Sequence, residues 1–395
     1  MNTDSSLIDG NSLRTITGDV ALDMRYPRYR AEVDLFGSEE WDEIVGLFDD
    51  GPIQQTATFA SVCWGKQLSR LALYEGDEVV AAAQVVIVEM PLLGAGVAHC
   101  KFGPMWRRKN SPVRSEIYRE ILAAMRAEYA VKRGLLLRIK PWEVIDEGGQ
   151  LASIRGEIGL EPQDHLPRYS TFILDMSRST EELRKGFLQK WRYNLRKAEK
   201  QDLQVTCSRD KQAAEIFMQL HFEMRDIKTY VDTSEVESLP ELIEGLPEHL
   251  RPAIFIAYHN GKPISSLVIS LIGRTAYCLF AASGADGRRL SASYVLFWEA
   301  MHWVKDYGCD WFDLVGSMPA GTGGHLGYRQ FKAGMTGRNG KEYFMCDWQV
   351  CHNWRSHLMV HGGAFVSARI RAARHHLNSL KVRLSRHPAG TRRCA

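Results

Sequence analysis

The sequence lacks several features that would place it in a common class. Its eight cysteines include no Cys-x-x-Cys pair, and Cys346 and Cys351 have no partner ligands at zinc-finger spacing. The longest apolar stretch, Val79 to Val88, is interrupted by Gln84 and has about half the length that a membrane-spanning helix needs. The first dozen residues are polar and do not resemble a secretory signal. We therefore expect a cytoplasmic protein with free thiols, no bound metal and no spanning helix.

Acidic residues are absent from the end of the chain. None follows Asp347, whereas nine lysines and arginines do, which leaves 41 basic against 47 acidic residues in the remainder. From Val360 to Arg386 the apolar residues recur at roughly helical steps, which predicts a cationic amphipathic helix. Such a tail fits contact with RNA or peripheral contact with an anionic membrane surface, and a solvated helix remains the alternative.

A weak internal duplication organises the rest of the chain. Leu71 to Val88 and Ile254 to Leu271 each read as two strands joined by a tight turn, and each hairpin is followed by a strand, a helix and a further strand. This repeat predicts an α+β fold of two tandem GNAT-like acyltransferase domains with a C-terminal basic helix. The expected partition is an N-terminal segment (1–30), a first domain (31–167), a second domain (168–350) and the basic tail (351–395).

Two motifs of the second half carry most of the chemical information. The segment LQKWRYNLRKAEK, Leu188 to Lys200, predicts a helix with a basic face and an apolar stripe of Trp191, Leu195 and Ala198. The segment YRQFKAG, Tyr328 to Gly334, reads as a Gly-rich loop containing a single lysine. A basic helix face and an isolated lysine suit the binding of phosphates and of a transient oxyanion.

These motifs together resemble the Fem-type aminoacyl transferases (FemA, FemB and FemX). The resemblance is carried by the two segments above, by SASYVLFWEAMHWVKDYGCDWFDLVGS, and more weakly by QQTATFASVCWGK and KFGPMW in the first half. It implies two GNAT-like domains and the transfer of an amino acid from aminoacyl-tRNA to an amine. It also implies an acceptor that bears phosphate, such as a peptidoglycan precursor, and no metal or other cofactor.

The resemblance also implies roles for individual residues. Lys332 would stabilise the oxyanion, although a surface lysine after a buried Phe331 is the alternative. Lys66 and either Arg192 or Arg196 would hold the phosphates of the acceptor, with an ordinary solvated helix face as the alternative. Two aromatic residues are further candidates on the acceptor side, although either could instead belong to the core: Tyr294 and Tyr328.

The sequence departs from the family at two positions of the first half. Family members often carry an acidic residue shortly after a Gly-Pro pair, but here Gly103-Pro104 is followed by Met-Trp-Arg-Arg. An Asp-Pro that is common after the Leu-rich strand is replaced by Lys140-Pro141. The usual base is therefore missing, which leaves proton removal to the substrate, to water or to another group such as Asp313. The acceptor would accordingly be more anionic than the peptidoglycan precursor, or of another kind, such as a natural product or a lipid.

Two other functions remain open at this stage. A coenzyme A-dependent N-acyltransferase on the same fold would need a Gly-rich loop before a helix, and neither KNSP (Lys109–Pro112) nor GRRLSAS (Gly287–Ser293) has that pattern. A non-catalytic module that binds RNA or an anionic surface through the tail would not need Lys332. A nucleotide-hydrolysing enzyme is disfavoured because no Gly-x-x-x-x-Gly-Lys-Ser/Thr sequence occurs.

Overall fold

The structure is a computed structural model, which describes residues 28–65, 67–90, 94–142, 149–164, 166, 169–227, 235–316, 326–337, 341–360 and 362. Lys66, nearly all of the predicted N-terminal segment and most of the basic tail lie outside these residues. Seven cysteines fall within the described part, and all seven are free thiols. None of the described helices combines the length and apolar character needed to cross a bilayer.

A first seven-stranded sheet organises the first lobe. Its strands are β1 (Tyr29–Val33), β2 (Gln67–Glu75), β3 (Glu78–Met90), β4 (Ala95–Lys101), β5 (Leu136–Lys140), β6 (Glu161–Pro162) and β14 (Trp348–Val350). Their spatial order is β1-β2-β3-β4-β5-β14-β6, and only the β4–β5 pair is parallel.

A second seven-stranded sheet organises the second lobe. Its strands are β7 (Tyr169–Asp175), β8 (Leu203–Ser208), β9 (Ala253–His259), β10 (Lys262–Leu271), β11 (Thr275–Ser283), β12 (Trp311–Asp313) and β13 (Glu342–Met345). Their order is β13-β7-β12-β11-β10-β9-β8, and here only β11 and β12 are parallel. The two lobes thus repeat one antiparallel hairpin followed by one parallel pair, which confirms the predicted fold class.

Turn chemistry accounts for both predicted hairpins. Gly76, between β2 and β3, has a φ of 61°, and Asn260 and Gly261, between β9 and β10, have φ values of 51° and 74°. In the second turn, positive φ at both central residues matches the type I′ turn that joins twisted antiparallel strands, and Asn-Gly adopts it at little steric cost. In the first turn, of Gly76 and Asp77 only the glycine has a positive φ.

Helices cover the faces of the two sheets. They are α1 (Ser38–Gly46), α2 (Ala57–Trp64), α3 (Ser115–Met125), α4 (Gln150–Glu157), α5 (Thr180–Gly186), α6 (Gln189–Glu199), α7 (Lys211–Ile227), α8 (Leu239–Gly245), α9 (Ala285–Leu290), α10 (Ala292–Asp306) and α11 (Leu326–Thr336). A π-helical segment, Arg126–Lys132, extends α3. Short 3-10 turns occur at Ile53–Gln55, Val236–Ser238 and Glu248–Leu250. Helix α3 packs on the first sheet, while α10 and α7 pack against the second sheet.

The predicted Gly-rich loop around Lys332 is wrong, because these residues form helix α11. Phe331 and Met335, four residues apart, share the face of α11 that packs into the core of the second lobe. Gly334 has no side chain, and this leaves room for the Trp191 side chain to pack against the helix. A Cβ at this position would lie 3.1 Å from the indole. Tertiary packing therefore overrides the weak helix propensity of glycine at this position.

The chain returns to the first lobe near its described end. Strand β13 pairs with β7 of the second sheet, and β14 then inserts between β5 and β6 of the first. The predicted partition into residues 31–167 and 168–350 assigns β14 to the second domain, whereas the strand pairs within the first sheet. A three-residue strand leaves almost no periodic signal in a sequence, so its pairing could not be predicted.

Apolar residues of both lobes form one shared cluster. Trp41, Phe48 and Phe59 of the first lobe are buried together with Leu242 of α8 and with Leu246, the residue that follows α8 in the second lobe. The two lobes therefore share buried apolar surface, and this holds the loops at their junction in place.

Candidate active site

Lys332 is fully buried on helix α11, which excludes the reading of a surface lysine. Its ammonium donates hydrogen bonds to the backbone carbonyls of Val315 and Gly316, the latter at 2.9 Å, and lies 3.9 Å from the centroid of the Tyr328 ring. Burial lowers the pKa of Lys332 to about 8, although the neighbouring Cys278 and Asp313 oppose this shift.

A strained turn supplies these carbonyls. Val315 has a φ of 47°, a left-handed conformation that β-branched residues rarely adopt, and Gly316 follows with a φ of 38°. Backbone strain of this kind persists only where the surroundings enforce it, and it concentrates at functional sites. Here the strained turn follows β12 directly and directs two carbonyl oxygens at the Lys332 ammonium.

Asp313 ends strand β12 and is also fully buried. Its Oδ1 atom accepts hydrogen bonds from Thr171 Oγ1 at 2.5 Å and from the Val315 amide at 2.7 Å. Its Oδ2 atom has no hydrogen-bond partner within the described part of the chain. Burial raises the pKa of Asp313 to about 7, against the opposing effects of these two hydrogen bonds and of Lys332. A carboxyl group with one free oxygen and a pKa near neutrality can take up or release a proton at physiological pH.

A cavity of about 310 Å³ lies between the lobes on the Asp313 side of the second sheet. In the register of β12, Asp313 lies opposite Tyr277 of β11 and Ile173 of β7, and both neighbours line the cavity. Paired residues project from the same face of a sheet, so the Asp313 side chain shares the cavity face. Asp313 therefore lies on the sheet face that borders this cavity, but neither Asp313 nor Lys332 is among the described residues that line it.

Helix α6 forms as predicted, with Trp191, Leu195 and Ala198 buried. Arg192 donates hydrogen bonds to the carbonyls of Lys185, at 2.8 Å, and Phe187, at 2.5 Å, at the end of α5, which gives this side chain a structural role. Arg196 is exposed, and among the described residues its side chain makes one long hydrogen bond, 3.4 Å, to the Arg192 carbonyl. Contact of either guanidinium with a phosphate stays a prediction, and Lys66 lies outside the described residues.

Tyr294 belongs to an aromatic cluster rather than to the Lys332 pocket. Its ring centroid lies 5.0 Å from those of both Trp191 and Phe331, and its hydroxyl accepts a hydrogen bond of 2.8 Å from Asn194. The cluster seats α11 against α6 and α10, and this fixes the position of Lys332. Tyr328 is 40% exposed and covers the Lys332 ammonium. The structure thus brings Lys332, Asp313 and Tyr328 together, with Tyr294 supporting them through Phe331.

Sequence reasoning missed Asp50. Its carboxylate accepts hydrogen bonds from the backbone amides of Trp106 and Arg107, each at 3.1 Å, in the loop that follows Gly103-Pro104. This is the loop whose own acidic residue is absent. Burial raises the pKa of Asp50 to about 6, and the residue lines the cavity between the lobes. The available signal was the Asp49-Asp50 pair before Gly-Pro, which reads as an ordinary turn.

Metal-binding geometry is absent from the part of the chain that the structure describes: no three His, Cys, Asp or Glu side chains there are grouped as ligands.

Comparison with known proteins gives consistent results. Residues 185–332 match the family model described as an acetyltransferase (GNAT) domain. A crystal structure of FemX is similar with a TM-score of 0.65 and 16% identity, covering 82% of this chain and 98% of FemX. A conserved protein of unknown function from Bacteroides thetaiotaomicron is similar with a TM-score of 0.51 and 11% identity, covering 82% and 99%. A search of curated proteins finds no significant match. The second lobe therefore carries a GNAT acyltransferase domain, and the chain as a whole has the Fem-type tandem GNAT fold.

Proposed function

We propose that the protein is an aminoacyltransferase that moves an amino acid from aminoacyl-tRNA to an amine acceptor and forms an amide bond. The observation that carries this proposal is the buried Lys332–Asp313 pair, which is held by the strained turn after β12. An aminoacyl ester is already activated, so the protein has to align the amine, stabilise the oxyanion and move protons.

The pair can perform the last two tasks. Two of the three ammonium protons of Lys332 are held by backbone carbonyls, which leaves one donor for the ester carbonyl oxygen. Such a preorganised donor contributes roughly 3–4 kcal/mol to transition-state stabilisation. The amine nitrogen attacks the ester carbon, Asp313 Oδ2 accepts the proton that the amine loses, and the ester C–O bond breaks. The departing ribose oxygen takes this proton from Asp313 and leaves as a hydroxyl group.

The remaining predicted residues are assigned to binding. Lys66 and Arg196 would contact phosphates of the acceptor, with Arg192 as the alternative to Arg196. Tyr328 would border the entry to Lys332. Because charged tRNA is made in the cytoplasm, the proposal places the reaction there. The basic tail would contact RNA or an anionic membrane surface.

A coenzyme A-dependent N-acyltransferase is the second candidate, favoured by the acetyltransferase description of the matching domain model. The connection before α10 speaks against it. The amides of Arg288, Ser291 and Tyr294 all donate to backbone carbonyls, those of Gly284, Arg288 and Ser291. These amides are therefore not available to bind a pyrophosphate as a Gly-rich loop would.

Separate donors distinguish the two candidates. The purified full-length protein is incubated with charged tRNA or with acyl-CoA, each with a panel of amines, and products are detected by their mass. We expect amide product with charged tRNA alone. Product with acyl-CoA alone would overturn the proposal in favour of the second candidate, and product with neither donor, across the panel, would favour the non-catalytic module.

A further inference from the structure

Strand β7 loses its neighbour beside the reactive pair. The Leu314 amide donates to the Phe172 carbonyl at 2.9 Å, which extends the pairing of β12 with β7 by one residue. The next residue, Val315, turns away with a φ of 47°, and its amide donates to Oδ1 of Asp313 instead. Thr171, the residue before Phe172, therefore lies where the pairing of the two strands ends.

The hydroxyl of Thr171 is directed at Asp313. This side chain is fully buried, and its Oγ1 atom lies 2.5 Å from Asp313 Oδ1 but 3.4 Å from the Phe172 carbonyl oxygen. A hydroxyl group has one proton to donate, and the shorter contact is the stronger hydrogen bond. The backbone of Thr171 also pairs with Tyr343 of β13, which fixes the strand on its other side.

This hydrogen bond makes the two oxygens of Asp313 different. Oδ1 accepts both from Thr171 and from the Val315 amide, whereas Oδ2 has no partner within the described part of the chain. An oxygen that already accepts two hydrogen bonds resists protonation, so a protonated Asp313 carries its proton on Oδ2. Thr171 also restrains the rotation of the carboxyl group.

The other titratable groups around Asp313 come from α11 and β11. Lys332 is the cation, and its charge favours the ionised carboxylate. Tyr277 and Cys278 are neutral at physiological pH because burial raises the pKa of each. Among the interactions that oppose the effect of burial on the pKa of Asp313, the hydrogen bond from Thr171 is the strongest.

We propose that Thr171 is a positioning residue of the transfer reaction, whose hydroxyl fixes the Asp313 carboxyl group so that Oδ2 alone takes and returns the proton. The reaction itself rests on the proposed function, but the effect of Thr171 on Asp313 does not. Thr171 acts through Asp313 and does not itself contact the substrate.

The first test needs no acyl donor. The full-length protein is labelled with ¹³C at the aspartate carboxyl groups, and the Asp313 signal is identified by its loss in Asp313→Asn. We expect Thr171→Val to raise the pKa of Asp313 by about one unit or more, because the ionised carboxylate loses a hydrogen bond. Thr171→Ser retains the hydroxyl and should restore the native pKa. An unchanged pKa in folded Thr171→Val protein would overturn the proposal.

Ser170, the neighbour of Thr171 on β7, provides the matched control. It is also buried, and its hydroxyl donates to a different carboxylate, that of Glu342, at 2.8 Å. Ser170→Ala therefore removes the same type of hydrogen bond from the same strand, and it should leave the pKa of Asp313 unchanged. An equal shift in Ser170→Ala would overturn the assignment to the Thr171 hydroxyl, because it would show a general disturbance of β7.

The second test uses the pH dependence of the reaction with charged tRNA. The acidic limb of kcat/KM in Thr171→Val should move upward by the same amount as the pKa of Asp313. Turnover at pH 7 should fall about fivefold, since a pKa raised by one unit leaves roughly a tenth rather than half of the carboxyl groups ionised there. The KM of the acceptor should stay the same, and Thr171→Ser should regain the native profile. A change in KM alone would overturn a positioning role.

The outcomes separate this inference from the proposed function. A shifted pKa of Asp313 in Thr171→Val, with no transfer from charged tRNA by the native protein, would leave the control of Asp313 by Thr171 intact and remove the aminoacyl transfer. Transfer whose acidic limb stays in place in Thr171→Val would retain the proposed function and overturn the role of Thr171.

Discussion

Asp313 and Lys332 are buried next to each other without forming a direct ion pair in the described structure, and each alters the pKa of the other. Each instead forms hydrogen bonds with neighbouring groups. Asp313 accepts from the Thr171 hydroxyl and the Val315 amide, and Lys332 donates to the carbonyls of Val315 and Gly316. Within the described structure, one carboxylate oxygen of Asp313 and one ammonium proton of Lys332 are thus left without a hydrogen-bond donor and acceptor, respectively.

Replacement of Lys332 by methionine should lower turnover by about a hundredfold or more, because the donor for the oxyanion is lost while the length of the side chain is kept. Steady-state kinetics gives the effect, and thermal unfolding verifies that the variant is folded. The exposed Lys341→Met variant serves as control and should retain activity. Unchanged turnover in folded Lys332→Met protein would remove this residue from the mechanism.

The rate should depend on pH with a narrow maximum. Asp313, with a pKa raised to about 7, must lose its proton to act as base, and Lys332, with a pKa lowered to about 8, must keep its proton. The value of kcat/KM should therefore rise as the pH approaches 7 and fall above about 8. Asp313→Asn should remove the acidic limb and lower the remaining rate by about a hundredfold. An acidic limb that persists in this variant would assign the base to another group.

Asp313 should also destabilise the fold as the pH rises. Its pKa is higher in the folded than in the unfolded chain, so the folded state binds the extra proton between about pH 4 and 7 and loses that advantage as the pH increases. The free energy of unfolding of Asp313→Asn, relative to the native sequence, should therefore increase over this range. Chemical denaturation at pH 5 and at pH 8 measures it. A difference that is the same at both values would contradict a raised pKa.

The two glycines of helix α11 should respond in opposite directions to alanine. A Cβ at Gly334 would press on the Trp191 side chain, so Gly334→Ala should destabilise the protein by about 1–3 kcal/mol and displace Lys332. A Cβ at Gly327 would have no atom within 4 Å, so Gly327→Ala should stabilise the helix by roughly 0.5–1 kcal/mol. Melting temperatures and turnover of both variants test this; similar melting temperatures would contradict the close contact.

Arg192 and Arg196 should also separate by experiment. Arg192→Met removes hydrogen bonds to the end of α5 and should lower stability at any ionic strength. Arg196→Met should instead raise the KM of a phosphate-bearing acceptor, and this effect should shrink at high salt because screening weakens the contact. A salt-independent change in KM for Arg196→Met would place its contact away from a phosphate.

The fold was largely predictable because its signals are local. Gly76 and Asn260-Gly261 define the hairpins through backbone conformations that other residues adopt poorly, and the apolar stripe of α6 follows from helical spacing. The helix around Lys332 was not predictable, since Gly327 and Gly334 argue against one and the stabilising contacts come from Trp191 and other distant residues. Local rules fail where tertiary packing decides.

The site was predictable only in part, for the same reason. The resemblance pointed to Lys332, and the missing base made Asp313 a candidate. The burial of both residues could not be predicted, because it depends on the strands and helices around them. Asp50 could not be found because the loop that holds it is 56 residues away in the sequence. The hydrogen bonds of Arg192 to the end of α5 could not be predicted either, because they depend on how the chain turns between α5 and α6.

The late strand β14 affects how the molecule can be made. Because it lies between β5 and β6, the first sheet stays incomplete until the ribosome has synthesised the whole second lobe. A fragment that ends near residue 167 would lack β14, so its β6 would have no strand to pair with and the edge of β5 would be open. In the intact chain, β14 fills this position after the second lobe has been made. Expression of the halves as independent pieces is therefore the wrong way to dissect this protein.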